Sequence, residues 1–217
     1  MSKTAILKVI ADEVKKQFLG EGTGHDWWHI DRVRKIALEI AKQETADLFV
    51  VELAALLHDI ADHKFHGGDL TKGGKVARRI LTELKIEAAV IDKVCYIVDN
   101  VSYKGAADKS KMQTLEGQAV QDADRLDALG AIGIGRAFTV GGHFGKTLYD
   151  PNTKPALNMG KEEYVKHRSD TINHFYEKVL LLKDRMNTKV GREMAEERHK
   201  FVEEFLERFY KEWNGEI

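Results

Sequence analysis

An all-α fold is predicted by three features of the 217-residue sequence. Apolar residues recur with the 3.6-residue period of amphipathic helices along most of the chain. No segment shows the period-2 alternation of a half-buried strand. Only two prolines occur, Pro151 and Pro155, so everything before Asp150 and after Asn158 is free of the strongest helix breaker.

The elements follow in order. The N-terminal stretch MSKTAILKVIADEVKKQF mixes apolar and charged residues at helical period. Residues 26–43 open on Asp26, a suitable cap, and continue through Ile30, Val33, Ile36, Ala37 and Ile40. Asp47 caps a nearly all-apolar helix from Leu48 to Ile60. A helix apolar on most faces is buried, so His58 and Asp59 emerge at the end of a central core element. Residues 87–98 carry Val90, Ile91, Val94, Ile97 and Val98 on one helical face, and residues 114–129 form a further helix that holds Asp124. Glycines 130, 133 and 135, interleaved with Ile132, Ile134 and Phe138, predict a closely packed helix, then a loop from about Gly141 to Gly160. Two long helices close the chain, at 161–186 and 189–213, the second with Phe201, Phe205, Phe209 and Trp213 at i+4 steps. A boundary, if any, falls in the 141–160 loop. The expected organisation is a single domain over 1–217, with 161–217 as C-terminal helices packed on it.

Bulk properties narrow the function. With 34 basic and 35 acidic residues the net charge is −1, which lacks the basic footprint of a duplex nucleic-acid binder. A small phosphorylated substrate needs only a few local cations. A single cysteine, Cys95, leaves no intrachain disulfide and favours a reducing, cytoplasmic setting; beside Val94 and Val98 it reads as a buried, inert thiol. No run approaches membrane-spanning length, and the N-terminus lacks the continuous apolar stretch of a signal peptide.

The chemistry lies in His29, the pair His58-Asp59 and Asp124, each in a helical segment. Imidazole nitrogen and carboxylate oxygen together hold a divalent transition metal while leaving positions for water and a phosphate. Five of the nine histidines fall between 25 and 66. An imidazole and a carboxylate at the end of so apolar a helix are costly to bury unless they pair or bind a cation. On residue chemistry alone a His–Asp hydrogen bond capping that helix stays open as the alternative.

The segments GHDWWHIDRV, LLHDIAD and QDADRLDALG resemble the HD-domain metal-dependent phosphohydrolases, and among them the small bacterial HD hydrolases of the YpgQ/YedJ type. The resemblance runs on through HKFHGGD, SYKG, AIGIGRAF and the last helix. It implies an HD-type helical bundle with additional C-terminal helices. It also implies the metal ligands His29, His58, Asp59 and Asp124, with His29 rather than His25 because the family ligand stands three residues before Arg-Val.

Other roles follow from spacing beside that resemblance. Arg32, at i+3 from His29, is placed to contact a phosphate or to orient a carboxylate. Asp62, at i+4 from His58, is the general-base candidate, with a partner fixing a histidine tautomer as its rival role. Lys104 of SYKG is a candidate to stabilise developing charge, joined by Lys64 and Arg136 of GIGRAF. His25 borders the first ligand on the substrate side, and one of Trp27-Trp28 can stack on a base, although burial is their ordinary fate. Asp127 sits one turn after Asp124, whereas Asp122 points about 200° away from Asp124 and is left out of the site. Arg125 is expected to cross-link helices.

Two-metal members of the family it resembles place extra histidine ligands between the HD pair and the last aspartate. Here the only histidines in that interval are His63 and His66, close behind the HD, so the resemblance implies one metal rather than two. Manganese, nickel, iron, cobalt, zinc and magnesium all stay open, with this donor set leaning away from magnesium. Gly67-Gly68 and Gly73-Gly74 are expected to bracket a flexible turn, a possible lid. The aromatic stripe from Phe201 to Trp213 reads as core or as a homodimer face. The resemblance implies a nucleotide substrate, a nucleoside triphosphate cleaved to monophosphate and pyrophosphate. The rivals are a phosphomonoesterase such as a 5′-nucleotidase, a cyclic-nucleotide or alarmone phosphodiesterase, and a non-catalytic nucleotide-binding module.

Overall fold

Helix α3, Leu48–Leu57, is the axis of the structure. Its residues Val50, Val51, Leu53, Ala54, Ala55, Leu56 and Leu57 are all buried, and each large aliphatic side chain so removed from water contributes about 1.5–3 kcal/mol. The computed structural model describes residues 1–22, 24–60, 72–108 and 110–217. Among these α1 (Lys3–Phe18), α2 (Trp27–Gln43), α5 (Ala88–Asn100) and α6 (Leu115–Asp127) pack around α3. Helix α4, Lys72–Glu83, lies against α5. No strand occurs among the described residues.

The caps read from sequence are made. Asp26 accepts from the His29 amide at 2.9 Å, and Asp47 accepts from Phe49 and Val50. Such caps satisfy amides that the first turn leaves without partners. Asp26 thereby fixes the start of α2 at the residue that bears the first histidine. Helix α3 stops at Leu57, three residues earlier than its apolar pattern suggests, with His58 as its C-cap and a turn through Ile60.

Gly73 and Gly74 stand in the first turn of α4. The Gly74 amide donates to Asp99 Oδ1 at 2.9 Å, and a Cβ there would collide with the Asp99 carboxylate. Glycine is needed for that close approach. Gly67-Gly68 lie outside the described residues.

Helix α7, Gly130–His143, packs closely along one side only: Gly130 abuts Arg198, Gly133 the Ala128 backbone and Gly141 Thr171, whereas Gly135 and Gly142 face open space. The expected long helix at 161–186 is broken into α8 (Lys161–Lys166), α9 (Thr171–Glu177) and two short 3-10 turns, Val179–Leu181 and Lys183–Arg185. Buried polar groups, invisible to an apolar-period reading, break it. Asp170 caps α9 through the Asn173 amide at 2.6 Å. The buried Glu177 carboxylate accepts from the Ala156 amide, Ser169 Oγ and His167 Nε2 at 2.7–3.0 Å, folding the chain around it.

The last helix, α10, runs from Lys189 to Trp213 and packs on α7, α6 and α2. Phe205, Phe209 and Trp213 enter an aromatic cluster with Phe138, Phe175 and Tyr149, with Trp213 at its rim and, like Phe201, about half exposed. Each i+4 step advances about 40° around a helix, so the stripe spirals off the buried face.

Candidate metal centre

Three helix ends meet beneath the core: the first turn of α2, the turn closing α3 and the last turn of α6. They bring together His29, His58, Asp59 and Asp124. His29 Nε2 lies 3.2 Å from His58 Nε2, 3.3 Å from Asp59 Oδ2 and 3.6 Å from Asp124 Oδ1. His58 Nε2 stands 3.5 Å from Asp59 Oδ2 and 4.0 Å from Asp124 Oδ1. Donors about 2.0–2.2 Å from a common zinc-like centre are separated by about 3–4 Å. His29, His58 and Asp59 are buried, and Asp124, with 27% of its side chain exposed, marks the mouth.

The hydrogen bonds around the two rings assign their tautomers. His58 Nδ1 is 2.8 Å from the Ala55 carbonyl, an acceptor only, so Nδ1 carries the proton. His29 Nδ1 is 2.7 Å from Asp127 Oδ2 and donates to that carboxylate. Both neutral rings then turn bare Nε2 lone pairs toward each other and toward two carboxylates. This arrangement is satisfied by a cation placed among them, and the donor set fits a divalent transition metal.

Electrostatics agree. Burial by itself would raise the Asp59 pKa, but the charge that His58 carries when protonated, and hydrogen bonds from His25 and from protonated His29, hold it well below the usual carboxylate range. Burial and Arg136 both oppose protonation of His29, yet hydrogen bonds from its protonated ring to Asp127 and Asp59 outweigh them and raise its pKa. The pocket draws positive charge.

The neighbours take specific positions. His25 Nδ1 lies 2.9 Å from Asp59 Oδ2, so His25 braces a candidate ligand. Arg32 grips Asp127 with two donors, Nε to Oδ1 at 2.7 Å and Nη2 to Oδ2 at 3.0 Å. Arg136 Nη1 is 3.1 Å from Asp127 Oδ2, and its Nε donates to the Gly24 carbonyl at 2.8 Å. Lys104 Nζ donates to Asn100 Oδ1 at 3.3 Å at the end of α5. Asp62, Lys64, His63 and His66 lie outside the described residues. Trp27 is buried, while Trp28 is half exposed with Lys15 Nζ 6.0 Å from its ring centre.

Asp122 turns away from the site and accepts from the amides of Asn187 and Thr188, each at 2.8 Å, and so holds Thr188, the N-cap of α10. Arg125 donates to the Arg185 carbonyl, a cross-link from α6 to the 3-10 turn before α10. Cys95 is buried with Sγ 3.3 Å from the Gly74 carbonyl, and burial pushes its thiol pKa up.

Sequence reasoning assigned no role to Asp127. The available signal was its i+3 spacing from Asp124, which puts it on the same face, and the matching i+3 spacing of Arg32 from His29.

The chain is thus a helical bundle in which His29, His58, Asp59 and the partly exposed Asp124 converge as groups that could hold a metal ion. Residues 27–129 match the HD domain family model. YpgQ of Bacillus subtilis is 39% identical over 90% of this chain and 87% of its own length. Its crystal structure in complex with ADP superposes with a TM-score of 0.75 at 34% identity, covering 98% of this chain and 97% of that one. A protein of Lactobacillus plantarum gives a TM-score of 0.88 at 34% identity over 99% and 100% of the two chains. An HD-superfamily hydrolase of Bacillus thuringiensis gives 0.74 at 41% identity over 98% and 99%. The chain belongs to the HD-domain superfamily.

Proposed function

We propose that this protein is a single-metal phosphohydrolase that cleaves a nucleoside triphosphate to the monophosphate and pyrophosphate. The observation that carries the reading is the pair of bare Nε2 atoms of His29 and His58, 3.2 Å apart and flanked by the Asp59 and Asp124 carboxylates. Each ring already spends its proton elsewhere, so the pocket is built to hold a cation rather than to close on itself. The ADP complex of YpgQ supports a nucleotide as ligand.

His29, His58, Asp59 and Asp124 would hold the ion, which supplies Lewis acidity toward a phosphoryl oxygen and toward water. His25 braces Asp59. Asp62, one turn after His58 in sequence, takes the proton of the attacking water. The water oxygen bonds to the α-phosphorus as the bond to the bridging oxygen breaks, and pyrophosphate leaves with that electron pair. Lys64 and Lys104 balance the charge on the phosphates. Asp124 admits substrate, being the ligand that solvent reaches.

The test is chromatographic analysis of pooled nucleoside triphosphates incubated with metal-loaded protein, beside the Asp59→Ala variant. Metal-dependent monophosphate and pyrophosphate, absent in the variant, are expected. Orthophosphate from monophosphates would mark a phosphomonoesterase instead, and nucleotide binding without turnover would mark a binding module.

A further inference from the structure

Asp127 is 1% exposed and is not among the four candidate ligands, yet it is the most heavily partnered carboxylate near them. His29 Nδ1, Arg32 Nε and Nη2, and Arg136 Nη1 all lie within 3.1 Å of its two oxygens. Arg136 stands in α7, seven residues beyond the last residue of the HD family match. Its Nε also binds the carbonyl of Gly24, which sits at φ +80°, a conformation suited to glycine. The next residue is His25, the brace of Asp59. One guanidinium thus reaches the supports of both histidines in the first motif.

We infer that Asp127, clamped by Arg32 and Arg136, is the positioning residue of the metal centre, and that α7 is thereby part of the site. The inference rests on the metal-dependent reading and deepens it. His29 has two neutral tautomers. With the proton on Nδ1, held by Asp127, Nε2 is free to bind a cation. With the proton on Nε2, that N–H faces the bare Nε2 of His58 at 3.2 Å and the Asp59 carboxylate at 3.3 Å. A proton shared with either partner would then fill the pocket in place of a cation. Asp127 selects the open form. A carboxylate accepts only, so it cannot support the closed tautomer from the Nδ1 side. The arginines keep its charge in place and its oxygens aimed, so they act on the metal through Asp127 rather than on a phosphate.

The experiment reads the ring nitrogens of His29 by 15N NMR in metal-free protein and manganese affinity by calorimetry, in the unchanged protein, Asp127→Asn, Arg136→Met and the double variant. Asp127→Asn is expected to weaken manganese binding about 10- to 100-fold, the range for outer supports of a metal site, and to shift His29 toward the Nε2–H form. Arg136→Met is expected to lose less, and that loss to shrink in the double variant. Affinity within twofold of the unchanged protein, with His29 still protonated on Nδ1, would overturn the inference. So would fully additive losses. If Asp127→Asn does not fold, Arg136→Met decides: an unshifted tautomer and affinity overturn the proposal. Failure of the unchanged protein to bind manganese would instead sink the metal reading, while the NMR arm still reports the tautomer.

Discussion

Asp122 and Asp124 stand two residues apart on α6, and their surroundings contrast two regions of the molecule. Asp122 looks toward the C-terminal junction, where amides of Asn187 and Thr188 and the Thr188 hydroxyl satisfy it. Asp170 and Glu177 in the same region are likewise held by amides, hydroxyls and a histidine. Asp124 looks toward the candidate metal corner, where Asp59 and Asp127 face imidazoles and guanidiniums. Neutral donors satisfy a carboxylate's hydrogen bonds without supplying charge: burial still pushes the Asp122 pKa up. Cationic partners do supply charge. Burial works against Asp127 too, but hydrogen bonds from His29 and Arg32 and the Arg136 charge hold its pKa well down. Buried acids of the first kind hold the fold together; those of the second line the candidate site.

Breaking the metal corner should give the largest effect. Asp59→Ala is expected to weaken divalent-metal binding more than about a hundredfold, beyond the loss typical of outer supports, and to abolish turnover while the helical circular dichroism persists. Calorimetry with manganese measures it. Breaking the other region should do the converse. Asp122→Ala strands the Asn187 and Thr188 amides and the hydroxyl of the α10 N-cap, and is expected to cost about 2–3 kcal/mol in urea unfolding, with metal affinity unchanged. Equal metal loss in both variants would dissolve the distinction.

A pH titration sharpens it. The folded-state pKa of Asp127 lies below its unfolded value of about 3.9, so its stabilisation is fully present above that value. It is lost as pH falls through the folded pKa. The stability gap between the unchanged protein and Asp127→Asn should be widest near neutrality and narrow below about pH 4. A gap that is constant down to pH 3 would contradict the charge-based account. The smallest effect belongs to the aromatic stripe. Phe201→Ser should change stability by less than about 0.5 kcal/mol, whereas Phe205→Ala should cost about 3 kcal/mol by urea unfolding.

Legibility from sequence followed the same division. Asp26, Asp47 and the apolar face of α5 were readable because caps and periodicity are local. The four candidate ligands were readable because polar residues at the end of an all-apolar helix demand a partner, and because the surrounding motifs resemble a family. Asp127 was missed because its meaning lies in contacts with residues 95 positions upstream and 9 downstream, Arg32 and Arg136. The break at Asp170 was missed because its cause, the buried Glu177 carboxylate, is a tertiary fact. Arg136 was read as a phosphate contact, while its guanidinium is turned to Asp127 and Gly24.

The most direct measurement is a crystal of the protein grown with manganese and examined by anomalous scattering. The account predicts one peak about 2.0–2.3 Å from each of His29 Nε2, His58 Nε2, Asp59 Oδ2 and Asp124 Oδ1. No peak there, with His29 and His58 hydrogen-bonded ring to ring at full manganese loading, would contradict it.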